Sequence, residues 1–156
     1  YASGAPRRLM KRAQWQCGML VPERYARKTA GEAFEQQAQF LLEDGREAEL
    51  EIVLEFTQEK TRHRVPFSID LSEVSEATWP IVFAGTPIFG NFSIWVQPAA
   101  TASVLDKVTL KLSNRSLLKS AQHEEMLRAA FVDVRFTMTC SGGAFIETVS
   151  DQQIEA

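Results

Sequence analysis

The sequence predicts an α+β domain in which a mostly antiparallel sheet of about six strands is packed by two or three helices. Three observations lead to this prediction. Apolar and polar residues alternate in several segments, which is typical of half-buried strands. Other segments repeat apolar residues at helical spacing. The chain has 156 residues, 45% of them hydrophobic and 24% charged, which is typical of one globular domain.

The first predicted element of the body is a helix over residues 30–43. Thr29, Ala30, Gly31 and Glu32 have the form of a capping box, and Gly45 is a natural helix end. Apolar residues follow at the spacing of one helical face, namely at Phe34, Ala38, Leu41 and Leu42.

A hairpin is predicted next. Residues 50–56 and 65–71 alternate between apolar and polar side chains, and the polar run 57–64 joins them. Pro66 has no amide donor, which places its strand at an edge or a bulge.

The remaining elements are predicted from the same two periodicities. Ser72 or Ser75 is expected to begin a short helix that extends to Trp79, and Pro80 follows its end. Residues 144–149 are expected to return antiparallel to the preceding strand after the turn at 141–143. Between Pro80 and the turn at 141–143 we expect an apolar loop at 81–90, strands at 91–97, 108–112 and 131–140, and a helix at 117–129.

Charge is unevenly distributed, although the net charge is only −3. Residues 1–28 hold seven basic side chains against Glu23 alone, and residues 29–59 hold nine acidic side chains against Arg46 alone. We therefore predict a basic N-terminal arm over residues 1–28, with 15–21 extended against a single domain over 29–156. A basic arm suits an anionic membrane or RNA, and a solvated tail that only aids solubility is the alternative. The candidate membrane- or RNA-binding residues are Arg7, Arg8, Lys11, Arg12, Arg24, Arg27 and Lys28.

Two apolar features are candidates for self-association. Phe83, Ile88 and Phe89 lie in the predicted loop, and an exposed apolar loop would form a contact surface. Trp95 shares a strand face with polar residues, where an aromatic side chain can anchor an interface. The alternatives are a loop folded over the core and a tryptophan packed in it.

Motifs for catalysis or metal binding are missing from the sequence. Neither histidine, His63 or His123, has a cysteine, serine or acid at a spacing that implies a partner. We therefore expect no enzyme activity, no metal and no cofactor. Cys17 and Cys140 are interpreted as free thiols of a reducing compartment. If they instead form a disulfide, the chain would be a secreted or periplasmic β-rich binding domain.

The order of segments resembles the matrix proteins of non-segmented negative-strand RNA viruses. The bornavirus matrix protein is resembled through Leu50-Glu51-Ile52, Val65-Pro66-Phe67, Asn91-Phe92-Ser93-Ile94-Trp95-Val96-Gln97-Pro98, Ala129-Ala130-Phe131-Val132 and Gly142-Gly143. The rhabdovirus matrix protein is resembled through Arg64-Val65-Pro66-Phe67, then Ser72, Val74, Ala77 and Trp79, and Ser141-Gly142-Gly143-Ala144-Phe145-Ile146. Together these stretches cover residues 50–150.

This resemblance implies a non-enzymatic protein that assembles beneath a viral envelope. Its implied partners are further copies of itself, an anionic lipid membrane and the viral nucleocapsid or RNA. Its implied role is to drive virion assembly and budding. Its implied locations are the virion, beneath the envelope, and the host cytoplasm and the inner face of host membranes.

Overall fold

The computed structural model describes residues 9–29, 31–97 and 105–147, and in these ranges two antiparallel β-sheets pack face to face. About 60% of the described residues are in strands and 12% in helices. The predicted α+β class is therefore wrong. The second sheet covers the apolar face of the first, a place that the prediction had assigned to helices.

The elements are numbered in chain order. The strands are β1 (Leu9–Met10), β2 (Arg12–Leu20), β3 (Glu35–Glu43), β4 (Glu49–Gln58), β5 (Thr61–Asp70), β6 (Glu76–Val82), β7 (Phe89–Gln97), β8 (Asp106–Asn114), β9 (Phe131–Ser141) and β10 (Ala144–Ile146). The helices are α1 (Glu23–Lys28) and α2 (His123–Ala129), and a 3-10 turn covers Gly45–Glu47. The six-stranded sheet has the order β1-β10-β3-β8-β7-β6, and the four-stranded sheet has the order β2-β9-β4-β5.

Aromatic side chains fill the space between the sheets. The Phe92 ring of β7 lies 5.1 Å from the Phe136 ring of β9 and 4.8 Å from the Phe67 ring of β5. Trp15 of β2 stacks on Phe136 at 5.0 Å. These residues belong to one buried cluster that draws on both sheets, so hydrophobic burial holds the two layers together.

The helix predicted over residues 30–43 is a strand. β3 pairs with β8 from Glu35 opposite Ser113 to Leu42 opposite Asp106. Phe40 and Leu42 are both buried. Residues two positions apart share one face in a strand but not in a helix, so this pair favours the strand. Thr29 caps the end of α1 instead of beginning a helix, and its Oγ1 donates to the Tyr25 carbonyl at 2.9 Å.

Three further predictions need correction. The predicted short helix ending at Trp79 is instead part of strand β6. Ser72 begins no helix, and its amide donates to the Asp70 side chain at 2.9 Å in the turn before β6. The loop at 81–90 shrinks to 83–88, and the helix at 117–129 shrinks to α2. After the turn at Gly142 the chain does not pair with β9. β10 crosses to the other sheet and pairs with β3 and β1.

The hairpin prediction is confirmed. β4 and β5 pair from Gln58 opposite Thr61 to Glu49 opposite Asp70. Glu59, with a φ of 53°, makes the two-residue turn with Lys60. β5 is an edge strand, as the position of Pro66 predicted. The alternation at 91–97, 108–112 and 131–140 likewise corresponds to β7, β8 and β9.

Residues 15–21 lie extended, as predicted, and belong largely to β2. The described part of the basic segment builds β1, β2 and α1, so it contributes strands to both sheets. In the described ranges no helix is long and apolar enough to cross a membrane.

Candidate anion-binding site

The predicted basic residues fall into two groups. Lys11 and Arg12 lie at the start of β2, and the Lys11 Nζ donates to the Gly143 carbonyl at 2.5 Å. Arg24, Arg27 and Lys28 lie on α1, beyond the other end of β2. A strand of nine residues spans roughly 27 Å, so these groups do not form one surface. Arg7 and Arg8 lie outside the described residues.

Two residues of the second group, Arg24 and Arg27, line an open pocket between α1 and the segment that follows β8. The pocket has a volume of about 330 Å³. Arg24 donates to the Leu118 carbonyl at 2.7 Å, which ties α1 to that segment. Three guanidinium groups and one carboxylate supply its charge. The lining residues are Glu23, Arg24, Arg27, Arg115, Ser116, Leu117 and Leu118.

Glu23 bridges two of the arginines. Its Oε1 accepts from the Nη1 of Arg115 at 2.5 Å. Its Oε2 accepts from the Nε of Arg27 at 2.9 Å and also from the Nη2 of that residue. The hydrogen bond from Arg27, with the positive charge of Arg115, holds the Glu23 pKa below its ordinary value. Glu23 is therefore an anion at neutral pH.

Phe34 contacts both of these guanidiniums, and Glu35 contacts that of Arg115. The Arg27 and Arg115 Cζ atoms lie 5.5 and 5.6 Å from the centroid of the Phe34 ring, within cation–π range. The Nη2 of Arg115 lies 3.7 Å from the Glu35 Oε1, and the Lys111 Nζ lies 3.8 Å from the same oxygen. The two guanidiniums thus have contacts besides Glu23.

Buried Asn114 holds the backbone next to the pocket through three hydrogen bonds. Its Nδ2 donates to the carbonyls of Leu20 at 3.0 Å and Ala129 at 2.8 Å. Its Oδ1 accepts from the Ser116 amide at 3.1 Å. The last residue of β8 therefore fixes the backbone that carries Arg115 and Ser116 to the ends of β2 and α2.

We call three exposed apolar side chains the apolar rim: Leu117, which lines the pocket, and Val82 and Phe89, which lie at the neighbouring ends of β6 and β7. Their exposed fractions are 59%, 41% and 86%. Val82 and Phe89 are opposite each other in the β6–β7 pair. The Phe89 carbonyl accepts from the Arg115 amide at 2.8 Å, which places Phe89 next to the backbone of Arg115.

The four predicted self-association residues do not form one surface. The Phe83 ring stacks on His63 at 4.0 Å and meets Phe56 at 5.9 Å, and Ile88 is only 2% exposed. Phe89 is part of the apolar rim. Trp95 is half-buried on the outer face of the six-stranded sheet, where the Lys111 Nζ lies 5.9 Å from its ring centroid.

Sequence reasoning missed Arg115 and gave Glu23 no role. The two residues are 92 positions apart, and only the path of β8 brings them together. Phe34 was assigned to a helix face. The alternation of Ser113 and Arg115 with the apolar residues of β8 was the available signal.

The two cysteine thiols lie far apart and form no disulfide. Cys17 and Cys140 are both free. Cys17 lies opposite the Val134–Arg135 step of β9, and that step is roughly 17 Å along the strand from Cys140. The Cα atoms of disulfide-bonded cysteines lie within about 7 Å of each other. The disulfide of the alternative function is therefore absent. Across residues 9–29, 31–97 and 105–147, no three His, Cys, Asp or Glu side chains are placed to hold a metal.

No protein-family model, curated protein or solved structure matches this chain. Arginine presents five donors in a planar fork that matches phosphate and carboxylate oxygens. Three such forks around one open pocket, beside exposed apolar side chains, can bind an anionic group at a surface.

Proposed function

We propose that this protein is a non-enzymatic viral matrix protein that binds an anionic membrane through the arginine pocket and its apolar rim. The observation that carries the proposal is the convergence of Arg24, Arg27 and Arg115 beside exposed Leu117. The resemblance to matrix proteins supports the biological setting. In that setting the protein self-associates beneath the envelope, contacts the nucleocapsid or its RNA, and drives assembly and budding.

The charge of the pocket favours an anionic surface. The charged side chains that line the pocket are three guanidiniums and one carboxylate, a net charge of +2. Glu35 and Lys111, which pair with each other beside Arg115, add no net charge, and Lys28 lies on the same helix as Arg24 and Arg27. A basic side chain close to an anionic bilayer contributes about 1 kcal/mol. The pocket can therefore supply a few kcal/mol of attraction.

The apolar rim favours a bilayer over RNA. Leu117 is almost fully exposed and lines the same pocket as the arginines. Inserting a leucine side chain among acyl chains removes its apolar surface from water and contributes about 1.5–3 kcal/mol. An RNA backbone would engage the arginines and would leave Leu117 in water.

The test is sedimentation with phosphatidylcholine vesicles that contain or lack 30 mol% phosphatidylserine, roughly a physiological anionic charge. The variant replaces Arg24, Arg27 and Arg115 with Gln. The control makes the same charge change at exposed Arg46, Lys60 and Arg64, outside the pocket. We expect the pocket variant to bind phosphatidylserine vesicles about 10- to 100-fold more weakly and the control to change little.

Two further measurements complete the test. Leu117→Ser should weaken vesicle binding and leave binding of single-stranded RNA unchanged, since only the membrane accepts the side chain. Sedimentation velocity in solution and chemical cross-linking on vesicles should detect oligomers. Equal binding by pocket and control variants, or binding to RNA alone, would overturn the proposal.

A further inference from the structure

We infer that the arginine pocket selects a phosphate monoester and that Glu23 sets this selectivity by competing for Arg27 and Arg115. The inference rests on the proposed function, because it assumes that the pocket binds an anion. It adds the chemical class of that anion and the residue that determines it.

Glu23 already occupies the place of a ligand. Both of its oxygens accept from guanidinium groups, one from Arg115 and one from Arg27. An anion that enters the pocket and bonds to both arginines must displace this carboxylate. A carboxylate or a phosphodiester would replace one negative charge with another and would gain little.

A phosphate monoester differs in charge and in number of oxygens. It carries about −1.5 to −2 charges at pH 7 and presents three terminal oxygens. Arg24 supplies a third guanidinium, which bonds to the Leu118 carbonyl through its Nη1 and not to Glu23. A monoester has one terminal oxygen for each of the three arginines that line the pocket, whereas Glu23 has two oxygens and both are already used.

The pocket keeps its shape when Glu23 is displaced. Phe34 lies against both guanidiniums, and Glu35 forms an ion pair with Arg115. The Asn114 hydrogen bonds fix the backbone at Ser116 independently of Glu23. A volume of about 330 Å³ lies at the lower end of the range for small-ligand pockets and admits a headgroup.

The experiment compares vesicles of equal surface potential that contain phosphatidic acid, a monoester, or phosphatidylserine, a diester with a carboxylate. Wild type should prefer phosphatidic acid by about fivefold, the equivalent of one charge at the surface. Glu23→Gln should tighten binding to phosphatidylserine about fivefold and reduce the preference for phosphatidic acid. Glu23→Asp keeps the carboxylate and should keep the preference, and Glu43→Gln, at an exposed distant site, is the charge control.

A soluble arm separates lipid from free phosphate. Glycerol 3-phosphate should compete with phosphatidic acid vesicles for wild type, and dimethyl phosphate at equal ionic strength should not. Monoester binding that depends on Glu23 but occurs only in solution would remove the membrane function and support the selectivity. Equal binding to both lipids, unchanged in Glu23→Gln, would overturn the selectivity and leave the membrane function standing. Binding to neither lipid nor glycerol 3-phosphate would overturn both.

Discussion

Asn114 is the residue on which the geometry of the pocket depends most. Its side chain is fully buried and bonds to three backbone groups in β2, α2 and the segment after β8. A buried carbonyl left without a donor costs about 1–3 kcal/mol. The Asn114 side chain therefore holds the backbone from which Arg115 reaches Glu23.

Asn114→Ala should lower the free energy of unfolding by about 2–4 kcal/mol, because it leaves two buried carbonyls and one amide without partners. Urea denaturation followed by circular dichroism measures this loss. Asn91→Ala, on the half-exposed outer face of β7, is the control and should cost little. A loss below 1 kcal/mol in Asn114→Ala would contradict the role assigned to the amide.

At the scale of elements, the edges of both sheets are protected against pairing with another chain. The Leu71 amide bonds to Ala48 and the Val96 amide to Ser75. Backbone groups along an antiparallel strand point alternately toward the paired strand and away from it. Since Leu71 and Ser75 point toward their paired strands, the backbone groups of Pro66 and Pro80, each five residues away, point toward the free edge. Among the described strands, β2 is irregular around Gly18 and β1 has only two residues. Self-association is therefore expected through faces and loops.

Pro80→Thr should leave stability nearly unchanged and increase aggregation. The substitution supplies the amide that the edge of β6 lacks, so a second molecule can add a strand. Light scattering and thioflavin fluorescence at increasing protein concentration measure the effect. Pro87→Thr, in the loop between β6 and β7, is the matched control. Aggregation of Pro80→Thr no faster than that of the control would show that Pro80 does not protect this edge.

At the scale of the whole molecule, the aromatic contacts couple the two sheets. Phe92 and Phe67 join β7 to β5, and Phe136 joins β9 to β7. Neither sheet can expose its inner face without opening the cluster that both share. The fold should therefore unfold in one cooperative transition.

Tryptophan fluorescence tests this coupling, since Trp15 lies in the four-stranded sheet and Trp79 and Trp95 lie in the six-stranded sheet. Trp15→Phe and the double variant Trp79→Phe with Trp95→Phe report on one sheet each. Within each variant, fluorescence and far-ultraviolet circular dichroism should give the same urea midpoint. Adding Phe136→Ala to either variant should lower its unfolding free energy by about 3–5 kcal/mol. Fluorescence and circular dichroism midpoints that separate would show that the sheets unfold independently.

The sequence by itself determined the strands whose alternation is local. β4, β5, β7, β8 and β9 follow from a period of two, because a half-buried strand needs apolar side chains on one face only. It also determined the excess of basic residues near the N-terminus, of which Arg24 and Arg27 belong to the pocket. Both properties are readable from neighbouring residues.

Tertiary structure decided the rest. The spacing of Phe34, Ala38, Leu41 and Leu42 fits a helix, and pairing with β8 made the segment a strand, since hydrogen bonds to a neighbouring strand override local preference. The meeting of Glu23 with Arg115, 92 positions away, depends on the path of β8. Contacts between residues so far apart depend on how strands pair, and no local pattern of side chains encodes that pairing.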